Sequence, residues 1–151
     1  MLADKDRPLK DRGMRDAPKM GRRLAKRDLH PDLILSSPAR RALATAEIIA
    51  KKLDYPESKI VVRDRLYEAE ADDLLDVVSE LDDGLHTVML FGHNPGLFEL
   101  AHRFSSEITR LPTCAVVEIT FPMKSWSDLD AAKPTKVEFD YPKKQKDEAP
   151  G

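Results

Sequence analysis

Apolar positions along the chain switch between helix-like and strand-like spacing. From residue 11 to residue 27 the apolar or small positions recur at three- and four-residue steps, which predicts a helix with one core-facing stripe. This stripe consists of Met14, Ala17, Gly21 and Leu24. Pro18 is expected to kink that helix or to limit its first turns. The run 33–35 that follows is wholly apolar, which is typical of a strand buried on both faces of a parallel sheet.

The same alternation continues through the middle of the chain. Apolar spacing predicts a helix over 39–53, a strand over 60–62 and a strand over 87–91. Between the last two strands, Asp72 is a candidate N-cap for a helix. Asn94 is a candidate cap for the helix after residue 91, with Pro95 suited to its first position.

The last part of the chain carries a different pattern. Residues 114–121 and 135–141 alternate apolar and polar positions with period two, which predicts a hairpin at the edge of the sheet. Strands that alternate with helices predict an α/β fold, a three-layer sandwich with a mostly parallel sheet and helices on both faces. We expect a single domain over residues 1–142 and a frayed tail over 143–151.

Composition and charge exclude several classes of function. The chain has 151 residues, 41% of them hydrophobic, and a net charge of −2, which argues against binding of nucleic acid by bulk electrostatics. The longest apolar runs are far too short to span a membrane. A single cysteine, Cys114, fits a reducing compartment, and we expect a cytoplasmic protein. No cluster of metal-ligand spacing occurs, so we expect neither metal nor cofactor.

The loop after the strand 33–35 carries hydroxyl and guanidinium groups to the carboxyl edge of the sheet, where ligands bind in such folds. Ser37, Arg40 and Arg41 begin a helix there, and a helix N-terminus with arginine attracts a phosphate group. A structural alternative is open for each of them, since Ser37 could cap the helix and the two arginines could be solvated surface residues.

Two further polar residues are expected at that edge. His93 follows the apolar strand 87–91 directly and has Gly92 beside it, which leaves room for a ligand. The alternative for His93 is a hydrogen bond to a backbone carbonyl of the turn. Glu68 follows the strand 60–62 and is a candidate proton donor, or else one more member of an acidic run of nine carboxylates and one base over 64–83.

Taken together, these residues resemble a known family. The resemblance rests on Asp6-Arg7-Pro8-Leu9 with Arg12-Gly13, Ser36-Ser37-Pro38 with Arg41-Ala42 and Thr45-Ala46, Leu66-Tyr67-Glu68, and Gly92-His93-Asn94-Pro95-Gly96. In order and spacing they look like the histidine phosphatase superfamily, and within it the small SixA-type phosphohistidine phosphatases. The resemblance extends from about residue 4 to about residue 126 and implies a phosphoglycerate mutase-like fold.

The resemblance implies a phosphate pocket and a role for each candidate. Arg41 and His93 match the family's second arginine and second histidine, which bind phosphoryl oxygens, and Glu68 matches the region of a general acid. Ser37 and Asn94 are expected to contact the substrate. The implied function is phosphatase activity on phosphohistidine or small phosphomonoesters, with a phosphate-bearing small molecule or a phosphohistidine protein as partner.

One part of the family pattern does not occur in this sequence. The family opens with a strand ending in Arg-His, whose histidine attacks phosphorus, and no Arg-His pair is present here. We expect that the natural protein has such an N-terminal segment. The alternative is a relative that binds phosphate or phosphoproteins without catalysis. A nucleotide-binding α/β domain is a third possibility, although no glycine-rich phosphate loop occurs.

Overall fold

The computed structural model describes residues 2–144, which form four α-helices and five strands. The helices are α1 (Asp11–Lys26), α2 (Arg40–Lys52), α3 (Ala71–Ser79) and α4 (Gly96–Phe104). The strands are β1 (Leu33–Ser36), β2 (Val61–Val62), β3 (Val88–Phe91), β4 (Val116–Thr120) and β5 (Lys136–Asp140). Short 3-10 helices lie at Asp4–Asp6, Glu57–Lys59, Asp64–Leu66 and Trp126–Ala131.

The central sheet is parallel and lies between two layers of helices. Its strand order is β2-β1-β3, so β1 is the middle strand. Leu35 of β1 packs with residues of α3 and α4, whereas Ile34 packs with Ala46 and Ala50 of α2 on the opposite face. This period-two alternation produces the predicted α/β sandwich, with one apolar core on each face of the sheet.

The antiparallel strands β4 and β5 form a second, separate sheet. It is attached to α1 by charged contacts: Arg23 bonds to Asp140 at 2.9 Å, and Arg27 contacts Glu118 of β4 and Glu138 of β5. A groove of about 1020 Å³ is lined by residues of both β3 and β4. Within residues 2–144 neither of these strands has a ladder partner across that groove.

Several local predictions need correction. Met14 is 53% exposed, because the buried stripe of α1 passes through Gly13, Ala17 and Met20 instead. Pro18 lies within α1 without ending it. Asp72 is not the N-cap of α3: Glu70 takes that position, and its backbone N–H donates to the Asp73 carboxylate at 2.9 Å.

Two predictions near the end of the chain also differ from the structure. The strands β4 and β5 pair as predicted, but they form their own sheet rather than the edge of the parallel one, because β3 is separated from β4 by the groove. The predicted tail over 143–151 lies mostly outside the described residues. Lys143 and Lys144 are exposed, and the backbone N–H of Lys144 donates to the carbonyl of Tyr141 at 2.9 Å.

Candidate functional site

Two loops meet at the carboxyl edge of the parallel sheet because β1 and β3 are neighbours in register. Ser36 and Phe91, the last residues of these strands, are paired, and the backbone N–H of Ser37 donates to the carbonyl of Phe91 at 2.9 Å. The loop from β1 to α2 therefore runs beside the loop from β3 to α4. This arrangement brings Ser37 and Arg41 to the same place as His93.

Ser37 fixes the position of the histidine ring. Its side chain is fully buried, and its Oγ lies 2.8 Å from Nε2 of His93. The same Oγ accepts a hydrogen bond from the backbone N–H of Ala39 at 3.1 Å. Ser37 therefore stabilises the turn that precedes α2, close to the capping role considered from the sequence, and also orients the imidazole.

Arg41 lies on the other side of the ring. Its Nη2 is 3.4 Å from Nδ1 of His93. Because a guanidinium can only donate, Nδ1 facing it must carry the lone pair, and the proton of the neutral ring belongs on Nε2, which then donates to Ser37. Burial and, to a smaller extent, the charge of Arg41 hold the pKa of His93 below its ordinary value, while Asp4 acts in the opposite direction.

The structure adds two residues that the sequence analysis did not select. The Asp4 carboxylate accepts from Arg41 Nη2 at 3.1 Å and from the Tyr67 hydroxyl at 2.6 Å, and the edge of the Tyr67 ring faces His93 with the ring centroids 5.5 Å apart. These bonds keep the pKa of Asp4 below its ordinary value, with Tyr67 as the larger cause and Arg41 as the next. Tyr67 belongs to the quoted motif Leu66-Tyr67-Glu68 and Asp4 lies just before the first motif, but contacts across 37 and 63 positions leave no periodic signal.

A close backbone approach holds Tyr67 at the site. A Cβ at Gly96, the first residue of α4, would lie 2.1 Å from the carbonyl oxygen of Ala69, so only glycine lets the loop after Tyr67 come this near. Glu68 within that loop has a φ of 54°, in the left-handed region that non-glycine residues seldom adopt. The packing of this loop against α4 accounts for both features.

The other predicted site residues are placed differently. Glu68 is exposed, and in residues 2–144 its side chain has no recorded hydrogen bond. Asn94 is also exposed, and its amide is engaged elsewhere: Oδ1 accepts from the backbone N–H of Phe98 at 3.2 Å, and Nδ2 donates to the carbonyl of Leu111 at 3.3 Å. The capping prediction is therefore wrong in detail: Pro95, expected at the first helical position, is the N-cap of α4, and Asn94 lies one residue before it. Arg40 points to solvent, unlike its neighbour Arg41.

The site is a small polar corner beside the groove, and its donor groups are of the kind that can hold an anion. A guanidinium, a phenolic hydroxyl and an imidazole converge there, and the groove between β3 and β4 is lined by Arg41 and His93 among other residues. Within residues 2–144 no group of three or more histidine, cysteine or acidic side chains is arranged to hold a metal ion. None of the described helices is both long and apolar enough to cross a membrane.

Comparison with known proteins identifies the family. The sequence pattern of the histidine phosphatase superfamily (branch 1) matches residues 1–84. An uncharacterised chloroplastic protein of Arabidopsis thaliana is 30% identical over an alignment of 135 residues, and the match covers 84% of this chain and 62% of that protein. The chain therefore spans less than two thirds of the length of this curated relative.

Solved structures agree on the fold. A protein of Nakamurella multipartitia assigned as the phosphohistidine phosphatase SixA superposes with a TM-score of 0.76 at 20% identity, covering 91% of this chain and 87% of that one. The protein histidine phosphatase SixA complexed with tungstate gives a TM-score of 0.74 at 21% identity, covering 93% and 86%. At these identities the likeness establishes the fold alone. With the sequence match over more than half of its residues, the chain belongs to the histidine phosphatase superfamily.

Proposed function

We propose that this protein is a phosphatase of the SixA type that removes phosphoryl groups from phosphohistidine or small phosphomonoesters. The observation that carries the proposal is the 3.4 Å approach of the Arg41 guanidinium to the His93 ring at the carboxyl edge of the sheet. Arg41 and His93 are 52 positions apart in the sequence, and two neighbouring loops bring them into contact. A cation and a histidine held there by the fold suit a tetrahedral anion with several acceptor oxygens.

In the proposed reaction, Arg41 binds the phosphoryl oxygens and neutralises part of their charge during transfer, and His93 binds them through Nδ1, which has to take up a proton before it can donate. An imidazole nitrogen attacks phosphorus, an N–P bond forms, and the bond from phosphorus to the leaving group breaks; water then cleaves the N–P bond and releases orthophosphate. Ser37 contributes by fixing the ring of His93. The roles of Glu68 in proton donation and of Asn94 in substrate contact stay predictions. Both side chains are exposed, which supports these roles less than the positions of Arg41 and His93 support theirs.

The attacking histidine of the proposed reaction is not one of the site residues named so far. Among residues 2–144, His93 is the imidazole in contact with Arg41, and both of its nitrogens are already engaged. We propose that the groove between β3 and β4 accepts the additional strand that the family resemblance implies, with its Arg-His end beside Arg41. The two strands facing that groove have edges without a ladder partner within the described residues, which supports this arrangement.

A phosphate- or phosphoprotein-binding protein without catalysis is the second candidate. It is favoured by the same observation about His93, since a pocket with one engaged imidazole binds an anion without attacking it. The proposed partner in either case is a phosphate-bearing small molecule or a phosphohistidine protein. A cytoplasmic location stays a prediction, and the chloroplastic relative offers an organelle as the alternative.

The proposal is tested by anion binding and by turnover. Titration calorimetry with tungstate should give saturable binding that Arg41→Ala abolishes, whereas Arg40→Ala, the loss of an exposed neighbouring guanidinium, should leave it nearly unchanged. A chain extended upstream by a strand ending in Arg-His should hydrolyse phosphohistidine and p-nitrophenyl phosphate. Folded extended protein that binds tungstate without turnover would favour the second candidate, and tungstate binding that is indifferent to Arg41 would refute both.

A further inference from the structure

We infer that Asp4 acts as an internal anion that occupies the position of two phosphoryl oxygens, and that Tyr67 is a third donor to the phosphoryl group once Asp4 is displaced. This inference rests on the proposed function and adds to it a ligand of the same site and a competitor for it. Neither residue was selected as a site residue from the sequence.

The contacts of Asp4 are those expected of a bound anion. Oδ2 accepts hydrogen bonds from Arg41 Nη2 at 3.1 Å and from the Tyr67 hydroxyl at 2.6 Å. Arg41 Nη1 donates to the Asp4 backbone carbonyl at 2.9 Å. The donors come from different elements, α2 and the loop before α3, and they converge on one oxygen. Oδ2 and the backbone carbonyl of Asp4 together present two acceptor oxygens to the Arg41 guanidinium, as two oxygens of a phosphoryl group would, so either can fill this position.

Asp4 is attached weakly enough to be exchanged. It lies in the 3-10 helix Asp4–Asp6, a single turn that contains no buried residue, and its side chain is 55% exposed. The Arg41 side chain is 32% exposed, and its backbone is part of α2. Displacement of Asp4 therefore breaks exposed polar contacts and leaves the core intact. Exposed ion pairs contribute little to stability, so the free-energy cost of such an exchange is small.

An internal carboxylate also gives the site selectivity. An incoming ligand must compete with Asp4, and its apparent affinity is lowered by the fraction of molecules in which Asp4 is bound. A dianion gains more from Arg41, His93 and Tyr67 than the single charge of Asp4 does, whereas a monoanionic carboxylate gains nothing over it. The site should thus accept phosphoryl dianions and reject simple carboxylic acids.

The experiment measures tungstate affinity by calorimetry on the full chain, with acetate as a monoanionic competitor. Asp4→Ala is expected to tighten tungstate binding roughly threefold to tenfold, because the competing carboxylate is gone. Asp6→Ala is the matched control: it removes the same charge from the same turn, and its side chain has no recorded bond within residues 2–144. It should change the affinity less than twofold. In Asp4→Ala, but not in the unaltered chain, acetate should compete measurably with tungstate.

Tyr67→Phe tests the second half of the inference. In the unaltered chain the loss of the hydroxyl weakens both the binding of tungstate and the competing contact of Asp4, so the affinity for tungstate should change little. In the Asp4→Ala background the competitor is absent, and Tyr67→Phe should weaken tungstate binding severalfold. A merely structural role for the hydroxyl would give the same change in both backgrounds, and that result would overturn the assignment of Tyr67.

The remaining outcomes separate this inference from the proposed function. Equal affinities for Asp4→Ala and Asp6→Ala, together with binding that Arg41→Ala abolishes, would overturn the role of Asp4 and leave the phosphate pocket standing. Failure of every folded variant to bind tungstate, with Asp4→Ala among them, would overturn the phosphate pocket itself and the inference with it.

Discussion

Among the arginine–carboxylate contacts within residues 2–144, two clusters differ in their surroundings. In the first, which we call the α1 cluster, Arg23 of α1 and Arg27, the C-cap of that helix, contact three carboxylates of the two-stranded sheet: Asp140, Glu118 and Glu138. In the second, the pocket cluster, Arg41 contacts Asp4 beside His93 and Tyr67. Both clusters pair cations with carboxylates at hydrogen-bond distance.

The difference lies in burial and in the origin of the carboxylate. Arg23 and Asp140 have side chains only 17% and 8% exposed, and Arg23 also donates to the carbonyls of Tyr141 and Pro142. Asp4 comes instead from an exposed single turn. A buried pair that joins two elements fixes their positions, whereas an exposed pair facing a groove can exchange one partner for a ligand. The chemistry of the side chains is the same, and the surroundings determine the use.

The largest expected effect comes from breaking the α1 cluster. Arg23→Ala should lower the free energy of unfolding by about 3 kcal/mol, because the nearly buried Asp140 carboxylate loses the Arg23 guanidinium and the carbonyls of Tyr141 and Pro142 lose a donor. Urea titration followed by circular dichroism measures this loss. Arg22→Ala, at the adjacent exposed position of α1, is the control and should stay within about 0.5 kcal/mol. Equal losses for both variants would contradict a stabilising role specific to Arg23.

The next effect concerns the support of the pocket cluster. Gly96→Ala places a Cβ against the Ala69 carbonyl and should cost about 2 kcal/mol while displacing Tyr67. Gly92→Ala is the control, because the nearest atoms to its Cβ lie at 3.7 to 3.8 Å, an ordinary contact. Urea unfolding titrations should separate the two variants. If Gly96→Ala is as stable as Gly92→Ala, the close approach of the loop to α4 does not exist in solution.

The difference between the clusters also explains how much the sequence could predict. The parallel strands, the helices and the loop positions of Ser37, Arg41 and His93 follow from local periodicity, because each signal lies within a few residues. The meeting of Arg41 with His93 follows from one further rule, that parallel strands end at the same edge of a sheet. Their roles in catalysis stay predictions.

Other features had no local signal. Asp4 and Tyr67 are 63 positions apart, and nothing in the spacing of a short acidic turn indicates which carboxylate will contact Arg41. The α1 cluster has the same difficulty, since Arg23 and Asp140 are separated by 117 positions. The Met14 prediction failed for a smaller reason: Ala17, Gly21 and Leu24 of the predicted stripe are buried, but the buried face continues through Gly13 and Met20 and leaves Met14 exposed.

A third, smaller effect concerns the pH dependence of the pocket cluster. The pKa of His93 is lowered in the folded protein, by burial first and by Arg41 second, so below pH 6.5 the unfolded chain gains a proton that the folded protein resists. Stability is therefore full at higher pH and falls as pH decreases through this window, by at most about 1.4 kcal/mol per pH unit for one proton. In His93→Gln this contribution should disappear. A steeper loss in His93→Gln would reverse the sign and contradict the geometry.

The smallest expected effect is the coupling within the pocket pair, and it compares the two clusters directly. A double-mutant cycle with Arg41→Ala and Asp4→Ala, measured by urea unfolding, should give a coupling free energy near the error of the titration, because water already solvates both groups. The corresponding cycle with Arg23→Ala and Asp140→Ala should give a clearly larger coupling, since little water reaches that pair. Tungstate at saturating concentration should then stabilise the chain with Asp4→Ala more than the unaltered chain, because no internal anion has to be displaced. Comparable couplings in the two cycles would mean that Asp4 is a structural partner of Arg41, and the contrast between a fixed cluster and an exchangeable one would fail.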